Sequence, residues 1–406
     1  MITTVKLANG IRAVLVPCEA QSVAFGLFVG SGSRHEPKGM EGVSHFLEHM
    51  LFKGTARRSS KAITEAIEGR GGNFNAWTNE ESTAYFSHMP FEYLDEAVDI
   101  ISDMYLNASI NEVEFKKERE VVIEEIKMYS DEPDSVAMEN LQTALFPKNR
   151  LGLPVAGNEK ALRSLTAEAM REYKRLHYTA ANTVAVLVGR FEVDEAVKIL
   201  EKRLGFAKIV ESFKDKADKF APPVADVLVK KDVQQTQIAL GFRSLPISHK
   251  LKYALSVFDA IMGRGMASRL FQEVREKRGL SYDISSRQQF FADTGMWTIT
   301  AGVDAAKANK TIDVIDRELE KIRAKKVSLK ELKRIKEFLL GNFRLSHEKI
   351  QSKLFYYGST MLSFGRVVPI EEQIEGIRAV SVDDVAAVAE IILKKGNRSL
   401  SRVVPK

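Results

Sequence analysis

The sequence predicts an α+β fold made of two similar domains, each a mostly antiparallel sheet with helices over one face. Three observations carry this. Strand-like and long helical segments interleave, with a short hairpin-like join at the start. The same order of segments occurs twice. At 406 residues the chain also exceeds one ordinary hydrophobic core, so two domains of about 200 residues are expected.

In order, Met1 to Pro17 reads as strand, Asn9-Gly10 turn and strand. Ser22 to Gly30 is a further strand. Val43 to Phe52 has helical apolar spacing and contains neither Gly nor Pro. Asn73 to Phe86 alternates polar and aromatic residues, the pattern of a strand with one exposed face. Helical segments Leu94 to Leu106 and Ile110 to Lys127 follow. A stretch rich in Lys, Ala and Pro, ending in Pro222-Pro223, marks the boundary and predicts domains 1–210 and 225–406 joined by a linker 211–224. The second half then repeats the first, with a strand at Thr236 to Arg243 and helices at Lys310 to Ile322 and Val327 to Phe343. With Ile110 set against Val327, Asn342 falls opposite Glu125. A doubly wound nucleotide-binding fold finds no support, because Gly263-Arg264-Gly265 lacks the third spaced glycine and there is no Walker sequence.

Composition excludes several classes. With 45% hydrophobic and 28% charged residues the chain is ordinary for a globular protein. No apolar run approaches the ~18 residues of a membrane span. The opening residues have neither an apolar signal core nor an Arg-rich presequence, which predicts most simply a cytoplasmic protein and otherwise a mature organelle form whose presequence has been removed. A single cysteine, Cys18, rules out an internal disulfide and a thiolate metal site. The net charge of +6 is spread among acids, and no nucleic-acid-binding signature accompanies it.

The chemistry concentrates in His45-Phe46-Leu47-Glu48-His49, an H-x-x-E-H sequence on the first predicted helix. One turn apart, both imidazoles can reach one metal ion, and Glu48 beside them can act as general base. Catalytic zinc usually takes three protein ligands, so a carboxylate from another element is required. Glu118 and Glu125, two turns apart on the helix after Ile110, are the candidates; one could bind metal and the other support it. The remaining histidines, His35, His88, His177, His249 and His347, have no partner at ligand spacing and predict structural or solvent-exposed roles.

His45 to Thr55 (HFLEHMLFKGT), Gly71 to Thr78 (GGNFNAWT) and the run from Glu118 through Val122 to Glu125 resemble the pitrilysin, insulysin and mitochondrial processing peptidase family over nearly the whole chain. The resemblance implies two similar α/β-roll domains and one zinc ion per chain, held by His45, His49 and Glu125. Glu48 would be the general base and Glu118 an accessory acid. Asn75 and Ala76 would lie on an edge strand that pairs with an extended peptide, and Phe52 and Trp77 would line the pocket after the scissile bond. Arg275 and Tyr282 would help to bind substrate and stabilise the oxyanion; taken alone, that segment reads as a charged helix end capped by Gly279. Asp131, Glu132, Asp134 and Glu139 could favour basic residues upstream of the cut, although Ser135 stands where presequence-processing members carry an acid. Members of this length pair two chains around a closed chamber, which implies a homodimer or a heterodimer with an inactive homologue. Other members of the fold are non-catalytic scaffold subunits, usually with a broken metal motif.

Overall fold

The computed structural model describes residues 2–205 and 220–406. Residues 211–219 of the expected linker lie outside the described residues. The first half contains β1 (Thr3–Lys6), β2 (Arg12–Pro17), β3 (Ser22–Val29), α1 (Val43–Leu51), α2 (Ser60–Glu68), β4 (Asn73–Thr78), β5 (Thr83–Pro90), α3 (Leu94–Asn107), α4 (Glu112–Asp131), α5 (Pro133–Leu145), α6 (Glu159–Ser164), α7 (Ala167–His177), β6 (Thr183–Gly189) and α8 (Val193–Leu204). The second contains β7 (Asp226–Lys231), β8 (Thr236–Ser244), α9 (Lys252–Gly263), β9 (Ser281–Phe290), β10 (Gly295–Val303), α10 (Ala308–Ala324), α11 (Leu329–Ser346), α12 (Ile350–Phe364), α13 (Ile370–Ala379), α14 (Val382–Ile392) and β11 (Arg398–Pro405).

These elements form two compact units that interleave along the chain. One gathers Met1–Ile126, Pro154–Lys216 and Leu345–Val368; the other gathers Lys127–Leu153, Ala217–Arg344 and Pro369–Lys406. The first unit therefore includes α12 from late in the chain, and the second includes α5 from early in it.

The first unit has a six-stranded sheet in the order β1-β2-β6-β3-β5-β4, antiparallel except for the parallel pair β2 and β6. β3 is buried on both faces. Phe25, Leu27 and Val29 point into a core shared with α1, α3, α7 and α8. Ala24 and Phe28 point the other way, against Leu354, Tyr357 and Met361 of α12. Helices thus cover both faces, where the sequence predicted one. α12 approaches closely at Gly358, where an added Cβ would lie 2.5 Å from the Phe28 ring.

The second unit has a five-stranded sheet in the order β7-β11-β8-β10-β9, again with one parallel pair, β7 and β11. Without β1, the two orders correspond strand for strand. Here α5 takes the place of α12, with Leu141 and Leu145 packed beside Ala239 and Met296. No helix among the described residues is long and apolar enough to cross a membrane.

Candidate metal centre

α1 follows Gly42, whose φ of 96° is a left-handed turn that a side chain would strain. The buried Glu36 carboxylate accepts the Gly42 and Ser44 N–H groups at 2.8 Å, satisfying amides that a helix start leaves without partners. Burial raises the Glu36 pKa to about 7 despite those bonds. Val43, Phe46, Leu47 and Met50 anchor the inner face of α1 in the core, so His45, Glu48 and His49 face away from it. Phe46 also meets Phe115 of α4 with ring centroids 4.7 Å apart, which holds the two helices together.

Across this contact Glu125 Oε2 lies 3.3 Å from His49 Nε2 and 3.8 Å from His45 Nε2. One donor atom from each of the three residues falls within 4.8 Å of the others, and no other such set of three or more occurs among the described residues. The side chains keep 14–22% of their surface exposed, so a small ligand can reach them. Two imidazoles and a carboxylate are a donor set suited to zinc.

Glu118 stands one layer behind. Its Oε1 lies 2.9 Å from His49 Nδ1 and its Oε2 lies 2.6 Å from Lys53 Nζ. This bond fixes the ring with Nε2 towards Glu125. Burial opposes ionisation of Glu118, but its bonds to His49 and Lys53 prevail and lower its pKa. Burial likewise disfavours a charge on His49, yet Glu118 and Glu125 raise its pKa to about 9. Burial and neighbouring His49 lower the His45 pKa to about 4, leaving a neutral imidazole. The carboxylates therefore hold positive charge at this place, which also fits a dication. Burial raises the pKa of Glu48, opposed by Thr78 Oγ1, which donates to its Oε2 at 2.5 Å.

Residues 13–159 match the insulinase family, peptidase family M16, and residues 164–339 match the peptidase M16 inactive domain. An uncharacterised zinc protease of Bacillus subtilis (strain 168) is 35% identical over 393 residues, covering 96% of this chain and 95% of its own. The chain belongs to peptidase family M16. An uncharacterised zinc protease of Mycobacterium leprae (strain TN) is 32% identical over 400 residues, covering 96% of the M16 chain and 88% of its own. A protease from Helicobacter pylori has a similar fold, with TM-score 0.93 at 22% identity over 100% of this chain and 99% of that one. A Pseudomonas fluorescens structure described as an M16 inactive domain gives TM-score 0.92 at 19% identity, covering 100% and 98%. The M16 chain is thus a short, two-domain member of the family.

β4 of this M16 chain is the outermost strand of its sheet. Asn75 on it is exposed, and its Oδ1 accepts the Ala76 N–H at 2.8 Å. Phe52 packs against Phe74 and Tyr85 with centroids 5.5 Å and 6.5 Å away. Trp77 does not join Phe52 in one pocket. The two-residue repeat of β4 sends Phe74, Ala76 and Thr78 to the α1 face and Trp77 to the opposite one, where it meets Phe28 and the α12 cluster.

Arg275 and Tyr282 belong to the second unit. Arg275 lies in a π-helical turn, Phe271–Glu276, and stacks 4.6 Å from the Tyr282 ring. Tyr282, at the start of edge strand β9, is 81% exposed. The pair is together and open to solvent.

Several contributors were not anticipated. Lys53 is four residues after His49, a helical spacing that could have pointed to it. Thr78 shares a face with Ala76, but only the fold shows that this face meets Glu48. Behind α1, Tyr173 Oη lies 2.9 Å from Ser44 Oγ and 3.0 Å from Ser31 Oγ, and Ser31 Oγ lies 3.0 Å from His177 Nδ1. No local sequence pattern joins these positions.

Proposed function

We propose that this chain is a zinc-dependent endopeptidase that cuts unfolded peptides or presequence-like segments within a chamber formed by two copies. The observation that carries the reading is the convergence of His45, His49 and Glu125, with Glu48 on the same helix and open-edged β4 bonded to it through Thr78.

His45 and His49 Nε2 and Glu125 Oε2 would hold the metal, and Glu118 would keep the His49 ring aligned. Zinc, when bound, supplies Lewis acidity that polarises a peptide carbonyl and acidifies water. Glu48 takes a proton from the attacking water and delivers it to the leaving amine nitrogen as the C–N bond breaks. Its raised pKa and short bond from Thr78 suit a group that must both accept and return a proton. β4 offers the backbone of Asn75 and Ala76 to an extended peptide, so recognition reads main chain more than side chain. Phe52 lines the site on the α1 face. Arg275 and Tyr282, already stacked and exposed, stabilise the oxyanion in the assembled dimer.

The test is cleavage of a mixed library of unstructured peptides by purified protein, with and without chelator, read by mass spectrometry and paired with metal analysis. Chelator-sensitive cuts with about one zinc per chain are expected. A folded, zinc-loaded protein that makes no cuts would shift the reading to a scaffold subunit or a missing partner. Cuts equally frequent after Arg and after Ala would remove any role for the acidic residues around Asp131 and Glu139 in choosing basic segments. Mixing inactive Glu48→Gln chains with inactive Arg275→Ala chains should restore some activity if each site draws on both chains.

A further inference from the structure

A cavity of about 830 Å3 opens in the first unit between the end of α3, α7 and the end of α8. Its volume suits a ligand of nucleotide size. Arg171, Lys174 and Arg175 occupy positions i, i+3 and i+4 of α7 and so share a face. Lys202 and Arg203 stand in the last turn of α8.

Most of the acidic groups here are already engaged. Arg203 reaches Asp95 at 2.6 Å and Asp99 at 2.7 Å, Arg58 reaches Asp103 at 2.6 Å, and Glu201 accepts the Ala8 N–H at 2.8 Å. On the cationic side, Arg175 is paired with Glu172 at 2.6 Å. Arg171 has only Glu112 at 3.9 Å, and Lys174 has no carboxylate partner among the described residues. Among them Lys202 has none within ion-pair distance, although its charge helps to lower the pKa of Asp95, which Arg203 already holds. Lys174 Nζ donates to the Leu106 carbonyl at 3.2 Å and lies 5.9 Å from the centre of the Tyr105 ring. Burial lowers its pKa to about 8, as expected for an ammonium without a counter-charge.

Finishing helix ends explains part of this arrangement, since Lys174 and Arg171 each donate to a carbonyl beyond or at the end of α3. An ammonium has three donors and a guanidinium five, so both retain donors for a ligand. Lys202 makes no such bond.

We propose that this cavity binds a phosphate-bearing small molecule of nucleotide size, with its phosphates on Arg171, Lys174 and Lys202 and its less polar body against Leu106, Ala108 and Tyr178. Several cationic side chains from two helices match the multiple charge and many acceptor oxygens of a polyphosphate. The site also has a route to the metal centre. Tyr178 Oη lies 2.8 Å from Tyr85 Oη, and the Tyr85 ring packs on Phe52. The Glu48 charge contributes to the raised pKa of both tyrosines, behind the larger effect of burial.

The test is calorimetric titration of chelator-treated protein, so that phosphate cannot act through metal, using ATP, tripolyphosphate and citrate as probes. One-to-one binding is expected, with ATP at least as tight as tripolyphosphate and citrate weaker by about tenfold or more. Lys174→Met and Lys202→Ala should each weaken ATP binding by about fivefold or more, and Lys310→Ala on exposed α10 should leave it unchanged. Absence of binding by both phosphate probes, equal affinity for citrate, or equal affinity across the variants would overturn the proposal. ATP binding more weakly than tripolyphosphate would overturn the place assigned to the ligand's body. If Lys174→Met fails to fold because α3 loses its terminal donor, exposed Lys202→Ala still decides.

Discussion

The two units share a strand order, yet the corresponding helices α4 and α11 carry different residues on their inner faces. With Ile110 set against Val327, Glu118, Val122 and Glu125 of α4 match Ile335, Leu339 and Asn342 of α11. Val122 and Leu339 are both buried, so the packing position is kept. Glu118 is buried and ion-paired, whereas Ile335 is buried and apolar. The fold therefore does not need the carboxylates. Burying charge without a structural need is costly, and such groups cluster where function requires them. The second unit does retain a buried carboxylate, Asp259 on α9, but its Oδ1 accepts Trp297 Nε1–H at 2.8 Å and Ser286 Oγ–H at 2.6 Å. That group ties helix to sheet and, among the described residues, belongs to no metal-holding cluster.

The largest expected effect breaks the comparison at its chemical centre. Glu48→Gln should keep zinc and the fold but lower kcat by about 10²- to 10⁴-fold, measured on a peptide found in the library experiment. Wild-type turnover in this variant would remove Glu48 as general base. Next, Glu118→Ile with Glu125→Asn imports the residues of α11 into α4. The chain should still fold, by circular dichroism, and bind no zinc. Glu118→Gln alone keeps the shape of the orienting residue and should weaken zinc binding by about 10- to 100-fold. Unaltered affinity would show that His49 is held without it.

Much of this was legible in the sequence because local patterns carry it. The H-x-x-E-H spacing places His45 and His49 on one helical face, and alternation along Asn73 to Phe86 marks extended chain, although it reads as one strand where the structure turns at residues 79–82 to form the antiparallel pair β4 and β5. The duplicated order of segments foretold two sheets of like topology. What stayed hidden depends on contacts between distant segments. Nothing local announces that α5 packs on β8 and α12 on β3, because both are ordinary helices with a broad apolar face. Choosing Glu125 over Glu118 as the residue facing both imidazoles needs the rotation of α4 relative to α1. Trp77, placed beside Phe52 by the family resemblance, lies on the other face of β4 because side chains alternate along a strand, which was legible in principle.

The exchanged helices give a comparison of smaller size. Gly358 of α12 would place a Cβ 2.5 Å from the fully buried Phe28 ring, whereas Gly241 of β8 would meet the methyl ends of Leu141 and Leu145 at 3.0 Å. Alanine normally favours a helix over glycine by roughly 1 kcal/mol, but overpacking against an immobile ring costs about 1–3 kcal/mol. Gly358→Ala should therefore lower stability in urea unfolding, and Gly241→Ala should lower it less. The reverse order would show that α12 can shift on its sheet more easily than α5.

The smallest effect concerns the polar network behind α1. Burial, aided by the nearby His35, lowers the His177 pKa to about 4 from an unfolded value of 6.5. Between those values the unfolded chain binds a proton that the folded chain does not, so unfolding becomes more favourable as pH falls. The contribution of His177 is complete above pH 6.5 and is lost progressively towards pH 4. Asp259 in the second unit has the opposite sign: burial raises its pKa, so its contribution weakens as pH rises through the shifted value. Thermal unfolding of wild-type and His177→Asn protein at pH 7 and pH 5 separates the two. The substitution removes the titrating group from the acid side alone, so the drop in Tm on acidification should be smaller in the variant. An equal drop in both proteins would mean that other groups govern acid stability and that burial does not hold His177 neutral.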